Sequence, residues 1–269
     1  MPWYQSLLLG ALQGLTEFWP VSSSAHLSLA GWATGWGEPR LAFTVAMHAG
    51  TFLAVLVCFR STVMRLLRVL PGTAGWRKAG EDADRRMLGL LAVALLPALL
   101  LGAFAADSSG MMEGMPLLIA LSLLAFSPVM AAADRMRPRR GLSSLGWRDA
   151  LVIGIFQVMA MVPGVSRSGA TISAGLFLGL NREEAVEFSF LLSLPTIGAA
   201  LALSLLQMLK EGVTGGQAAS LLVGIAASFL AGVFAVRFLL GWAKRHSFAP
   251  FVGYRVLLGA ALLLIMLAR

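Results

Sequence analysis

The chain has 269 residues, 58% hydrophobic and 13% charged, with a mean hydropathy of +0.81 and a formal net charge of +8. That composition excludes an ordinary soluble domain, and a single cysteine, Cys58, excludes an intrachain disulfide. The basic residues cluster in loops between apolar runs, so the charge reports membrane topology and no nucleic-acid partner is expected.

Residues 1–40 begin without a basic n-region, so no cleaved signal peptide is expected. Gln13 and Glu17 are four apart and share a helix face. Pro20 then breaks the helix, and Ser22, Ser23 and Ser24 offer N-cap oxygens for a second half-helix. His26, three residues after Ser23, puts an imidazole beside a hydroxyl. Residues 43–59 form the first uncharged run long enough to cross a hydrocarbon core of about 30 Å. A loop rich in Arg follows (Arg60, Arg65, Arg68, Arg77, Lys78, Arg85, Arg86), then an apolar run at 87–106. Residues 107–113 contain no Lys or Arg, and a third run occupies 114–133.

Arg135, Arg137, Arg139, Arg140 and Arg148 come next. Residues 147–181 are again broken, at Pro163-Gly164, and carry Ser166, Arg167, Ser168, Gly169 and Thr171 just beyond the break. Runs at 188–209 and 212–236 are joined by a loop whose only Lys or Arg is Lys210. Lys244 and Arg245 follow, and the last run, 249–268, is interrupted by Arg255 near one end, where a long side chain is expected to snorkel to the headgroups.

Positive-inside logic places the Arg-rich loops in the cytoplasm. Residues 1–40 must then begin and end outside, and residues 147–181 must begin and end inside. Each fits a re-entrant helix–turn–helix. The run Pro20 to His26 has a near-copy about 144 residues later, Pro163 to Thr171, and Phe43-Thr44-Val45 matches Phe188-Ser189-Phe190 at nearly that offset. The predicted fold is an all-α polytopic membrane protein with six transmembrane helices plus two re-entrant hairpins in an inverted-topology repeat. It forms one integral membrane domain, 1–269, with repeats at approximately 1–135 and 147–269.

Ionisable groups at membrane depth mark function by default, which singles out Glu17 and Arg167. A buried ion pair would account for those two alone. Half-helix N-termini, several hydroxyls and a bidentate guanidinium together describe a phosphate site. His26 is the natural acid/base group, while His48 in the first span is left open. His246 reads as interfacial. No GxxxxGK loop or HExxH pair occurs, so nucleotide hydrolysis and a zincin site are unsupported.

Across these residues the chain resembles the undecaprenyl pyrophosphate phosphatase family, the bacitracin-resistance type. The likeness rests on Gln13-Gly14-Leu15-Thr16-Glu17-Phe18-Trp19-Pro20-Val21-Ser22-Ser23-Ser24-Ala25-His26 and on Pro163-Gly164-Val165-Ser166-Arg167-Ser168-Gly169-Ala170-Thr171. Phe188-Ser189-Phe190-Leu191-Leu192 and Tyr254-Arg255 also fit. The resemblance implies removal of the terminal phosphate of undecaprenyl diphosphate, recycling the carrier for cell-wall synthesis. It also implies a divalent cation (Mg or Ca) and a site in the bacterial inner membrane facing the periplasmic side. Some members have Glu where this chain has Gln13, leaving Glu17 as the one carboxylate for metal, and Ala25 replaces the usual Gly. The other large group of membrane lipid phosphatases needs a His six residues after its Ser-Arg; here that position is Ser173.

The expected roles follow. Glu17, Ser23, His26 and Arg167 are catalytic, with Ser23 the nucleophile and its proton passing to Glu17 or His26; direct attack by water is the competing route. Gln13, Ser22, Ser24, Ser166, Ser168, Gly169 and Thr171 bind substrate, and Glu17 holds the metal. The partners are a polyprenyl diphosphate lipid and membrane lipids, and Gly-rich spans suit a homodimer. A second functional class, a transporter or flippase of a lipid phosphate or small anion, shares the inverted-repeat architecture but needs no acid/base pair.

Overall fold

The computed structural model describes residues 2–36, 41–70, 81–112, 115–211 and 215–268. The described residues are helical with short connections. In chain order the helices are α1 (Trp3–Phe18), α2 (Ser23–Thr34), α3 (Leu41–Cys58), α4 (Arg60–Arg68), α5 (Glu81–Met112) and α6 (Pro116–Asp134). After a 3₁₀ turn at Leu142–Ser144 come α7 (Trp147–Met159), α8 (Arg167–Phe177), α9 (Arg182–Glu211), α10 (Gly215–Ala243) and α11 (Ala249–Leu267). The loop cations Arg77 and Lys78, and parts of both Lys/Arg-poor connections, lie outside the described residues.

Four helical stretches among the described residues are long and apolar enough to cross a membrane: Pro116–Asp134, Arg182–Ala202, Ala218–Ala243 and Ala249–Leu267. Ala46–Cys58 and Arg60–Arg68, bent by 83°, form a fifth if counted together. The outer surface agrees, for Leu257 is 71% exposed and Leu222 and Leu230 are each 66% exposed on these helices. Apolar side chains in such numbers face lipid. The protein is a helical, multi-pass membrane protein.

Lipid is as apolar as leucine, so these helices gain little from the hydrophobic effect when they pair; close van der Waals contact must hold them. Glycine permits it. Helix α1 packs along α10 and α7 along α5. A Cβ on Gly10 would fall 2.5 Å from the Gly224 carbonyl, and one on Gly154 would fall 2.4 Å from the Ala94 carbonyl. Further pairings join α3 to α10 and α9, α5 to α9, and α6 to α11. Phe18 is fully buried edge-on to Phe190, with ring centroids 5.4 Å apart, which seals the centre beneath the first break.

Polar contacts cluster at one end. Asp134, at the end of α6, accepts from Arg182 Nε and from the Phe248 backbone N–H, tying the starts of α9 and α11. Arg140 donates both to Asp149 at the start of α7 and to the Leu178 carbonyl just past α8. The segment 147–181 therefore leaves and returns at the same end. Likewise Tyr4, at the start of α1, meets Trp36, beyond the end of α2, with centroids 6.2 Å apart.

Candidate functional site

Both broken segments turn through a serine with positive φ. Ser22 has φ 74 and ψ 101, and Ser166 has φ 77 and ψ 119. For a residue with a Cβ this region is costly, about 1–3 kcal/mol each, and persists only where surrounding contacts over-determine it. The turns repeat in detail: Ser22 and Ser24 hydroxyls lie 3.2 Å apart, as do those of Ser166 and Ser168. The caps differ. Ser166 Oγ accepts from the Gly169 N–H, whereas the side chain of Ser22 makes no cap bond.

The two turns meet at Glu17. Its Oε1 accepts from Arg167 Nη2 at 3.1 Å, and its Oε2 accepts from Ser23 Oγ at 2.7 Å and from Gln13 Nε2 at 3.0 Å. Glu17 and Arg167 side chains are 9% and 12% exposed, so this pair is largely shielded from water. Arg167 Nη1 is buried with no partner among the described residues, leaving one strong donor unused. A cavity of about 220 Å³ opens against these groups, lined by Glu17, Ser22, Ser23, Ser24, Ser166 and Arg167, with His48 and Thr196 on its walls.

The remaining expected residues stand behind this wall. Gln13 is fully buried and bridges Glu17 to His48, whose Nε2 lies 3.3 Å away. His48 Nδ1 must donate to the Thr44 carbonyl at 2.8 Å, so its Nε2 is the acceptor. Sequence reasoning left His48 open; the structure puts it on the cavity. His26, expected beside Ser23 as acid/base, is placed differently. Its Nδ1 donates to the Ser22 carbonyl at 2.7 Å, its Nε2 accepts from Tyr254 Oη at 2.6 Å, and it does not line the cavity. Both ring nitrogens are occupied by structural partners.

Three further expected residues find partners within the fold. Ser168 Oγ donates to the Trp19 carbonyl at 3.1 Å, joining the two hairpins. Thr171 Oγ1 bonds the Arg167 carbonyl and lies 2.6 Å from Ser189 Oγ. Gly169 uses its N–H on Ser166. None of the three is on the cavity wall. Arg255, expected to snorkel, is 0% exposed and packs over Phe126. The only sequence signal for it was a charge inside an apolar run.

Among the described residues no group of three or more His, Cys, Asp or Glu side chains gathers as a metal cage. One observation bears on a cation: Gln13 Oε1 is a buried oxygen without a protein partner, beside the Glu17 carboxylate.

These features define a multi-pass helical membrane protein with a charged, hydroxyl-lined cavity between two broken helical segments. A family model described as bacitracin resistance protein BacA matches residues 6–261. The undecaprenyl-diphosphatase of Pelobacter propionicus is 42% identical over 264 residues, covering 97% of this chain and 96% of its own. That of Geobacter sulfurreducens is 41% identical over 264 residues, covering 97% of each. That of Desulforudis audaxviator is 42% identical over 267 residues, covering 99% and 98%. The chain belongs to the bacitracin resistance protein BacA family.

Proposed function

We propose that this protein hydrolyses undecaprenyl diphosphate to undecaprenyl phosphate and inorganic phosphate. The observation that carries the reading is the contact of Ser23 Oγ with Glu17 Oε2 at 2.7 Å, with Arg167 held on the other oxygen of the same carboxylate. A hydroxyl within hydrogen-bond reach of a base, beside a guanidinium with a free donor, is a nucleophile facing an anion clamp.

Ser23 Oγ attacks the terminal phosphorus while its proton passes to Glu17. The bond from that phosphorus to the bridging oxygen breaks, and undecaprenyl phosphate departs with the bridging oxygen, taking the proton from Glu17. Water then attacks the phosphoserine; Glu17 accepts its proton and returns it to Ser23 Oγ as inorganic phosphate leaves. Through both steps Arg167 Nη1, the Ser166 hydroxyl and the free N–H groups at the start of α8 stabilise charge on the equatorial oxygens. Ser22 and Ser24 line the opposite side. Ser168, Gly169 and Thr171 hold the α8 turn, His26 holds the α2 turn, and His48 supports Glu17 through Gln13.

The donor types fit a divalent cation, Mg or Ca, which Glu17 and Gln13 Oε1 would hold. When bound, it neutralises developing charge on the transferred phosphoryl group.

The architecture proposed is six spans with two re-entrant hairpins, in inverted repeats at approximately 1–135 and 147–269. Support comes from the matching pairings of α1 with α10 and α7 with α5, from the 144-residue offset between the two strained serines, and from the return of each hairpin to its starting end. The end holding Arg140, Arg182 and Lys244 is assigned to the cytoplasm of a bacterial inner membrane, with the cavity facing the periplasmic side. Membrane lipids surround the polyprenyl tail, and Gly-rich spans suit a homodimer.

Phosphate release from undecaprenyl diphosphate by the purified protein in detergent tests the reading. No gradient exists there, so a carrier of lipid phosphate or anion would release none, and that result would overturn it.

A further inference from the structure

Among the described residues Arg255 has no carboxylate partner, yet its side chain, carried on α11, is wholly buried. A buried guanidinium is expensive, and the cost must be offset by hydrogen bonds of good geometry. Arg255 makes two. Nη1 donates to the Pro20 carbonyl at 3.3 Å and Nη2 donates to the Gly164 carbonyl at 2.9 Å. These carbonyls sit in the two helix breaks, where no amide one turn on is available to them.

Pro20 and Gly164 are 144 positions apart, the same offset that relates Ser22 to Ser166 and Ser23 to Arg167. One side chain from a helix outside both hairpins therefore grips equivalent points of each. A guanidinium is planar, and its two terminal nitrogens stand at a fixed separation. Holding one carbonyl with each fixes the distance between the two turns. Three residues beyond Pro20 lies Ser23, and three residues beyond Gly164 lies Arg167; both bond Glu17. The neighbouring Tyr254 reinforces the first turn by donating to His26, which in turn donates to Ser22.

We infer that Arg255 is a positioning residue: it sets the spacing of the two hairpin turns and thereby places Ser23 and Arg167 on the same carboxylate. The inference rests on the phosphatase reading above for its kinetic consequence, but its geometric consequence is measurable without activity. Arg255 does not line the cavity, so it acts only through the residues it holds.

The test uses the full chain in detergent with undecaprenyl diphosphate as substrate. Arg255→Met keeps the length and removes both donors. It should lower kcat at least tenfold with KM within threefold of wild type. In an Arg167→Ala background the same change should cost less than twofold, because the geometry it protects no longer serves an arginine. Equal fold losses in both backgrounds would mean a purely structural role and overturn the inference. So would an Arg255→Met protein with kcat within twofold of wild type.

If Arg255→Met is not recovered as monodisperse protein, Arg255→Lys decides. It keeps a cation without the two-pronged fork, and wild-type kcat in that variant would overturn the proposal. Should the wild type release no phosphate, the phosphatase reading fails by itself. Positioning is then read from dipolar broadening between nitroxides at Ser24→Cys and Met159→Cys in a Cys58→Ala background. Weaker broadening after Arg255→Lys supports the strut, and unchanged broadening overturns it.

Discussion

Glu17 and Arg167, 150 residues apart in the chain, meet through a 3.1 Å hydrogen bond in a site largely closed to water. Neither group would be stable there alone. Removing one partner of such a pair typically costs about 3–5 kcal/mol, because the other is left charged and buried.

The first prediction concerns that pair. Glu17→Gln should abolish Ser23 deprotonation and lower kcat by about 10³-fold, while Arg167→Lys, which loses the fork, should lower kcat/KM by about 10²-fold. Steady-state phosphate release measures both. Arg167→Lys at wild-type efficiency would show that a point charge suffices and that the fork is irrelevant.

Ser23 should become labelled. Rapid acid quench of the enzyme with substrate labelled in its terminal phosphate should trap one phosphoserine at Ser23, and Ser23→Ala should lose both the label and at least about 10²-fold in kcat. Substantial turnover by Ser23→Ala, with no label in the wild type, would hand the attack to water.

The two histidines near the site, His26 and His48, should separate by role. His48 lines the cavity and reaches Glu17 through Gln13, so His48→Ala should lower kcat by about tenfold or more. His26 holds the Ser22 carbonyl through Nδ1, and an asparagine amide can reproduce that donor. His26→Asn should therefore retain far more activity than His26→Ala. If both lose activity equally, the imidazole has a chemical duty that the hydrogen bond does not explain.

Chelation should suppress phosphate release, and added Mg or Ca should restore it. Gln13→Glu places a second carboxylate four residues before Glu17 on the same helix face, which should lower the cation concentration for half-maximal activity by about tenfold. Titration of activity with the cation reads this directly. An activity indifferent to chelator would remove the cation from the proposal.

Much of the site was legible in the sequence because its determinants are short-range. Gln13 and Glu17 bond each other because four residues make one helical turn. The breaks fall where Pro20 and Pro163-Gly164 dictate, between Phe18 and Ser23 and between Met159 and Arg167. The repeated motif also pointed to a meeting of the two broken segments, and Ser23 and Arg167 do meet on Glu17. The depth of Arg255 was not legible. Its distance along α11 is consistent with snorkelling, and only the two carbonyls presented by other elements keep it inside.

Sequence by itself determined the solvent this protein lives in, the helical class, the two helix breaks and the polar side chains carried next to them. Tertiary structure decided which of those side chains share a cavity. His26 and Thr171 carry the right chemistry but spend it on Tyr254, Ser22 and Ser189, whereas His48 enters the site from a separate helix. The physical reason is that periodicity specifies which side chains share a helix face, while the neighbour that face meets depends on how glycine-lined helices hundreds of atoms away pack together.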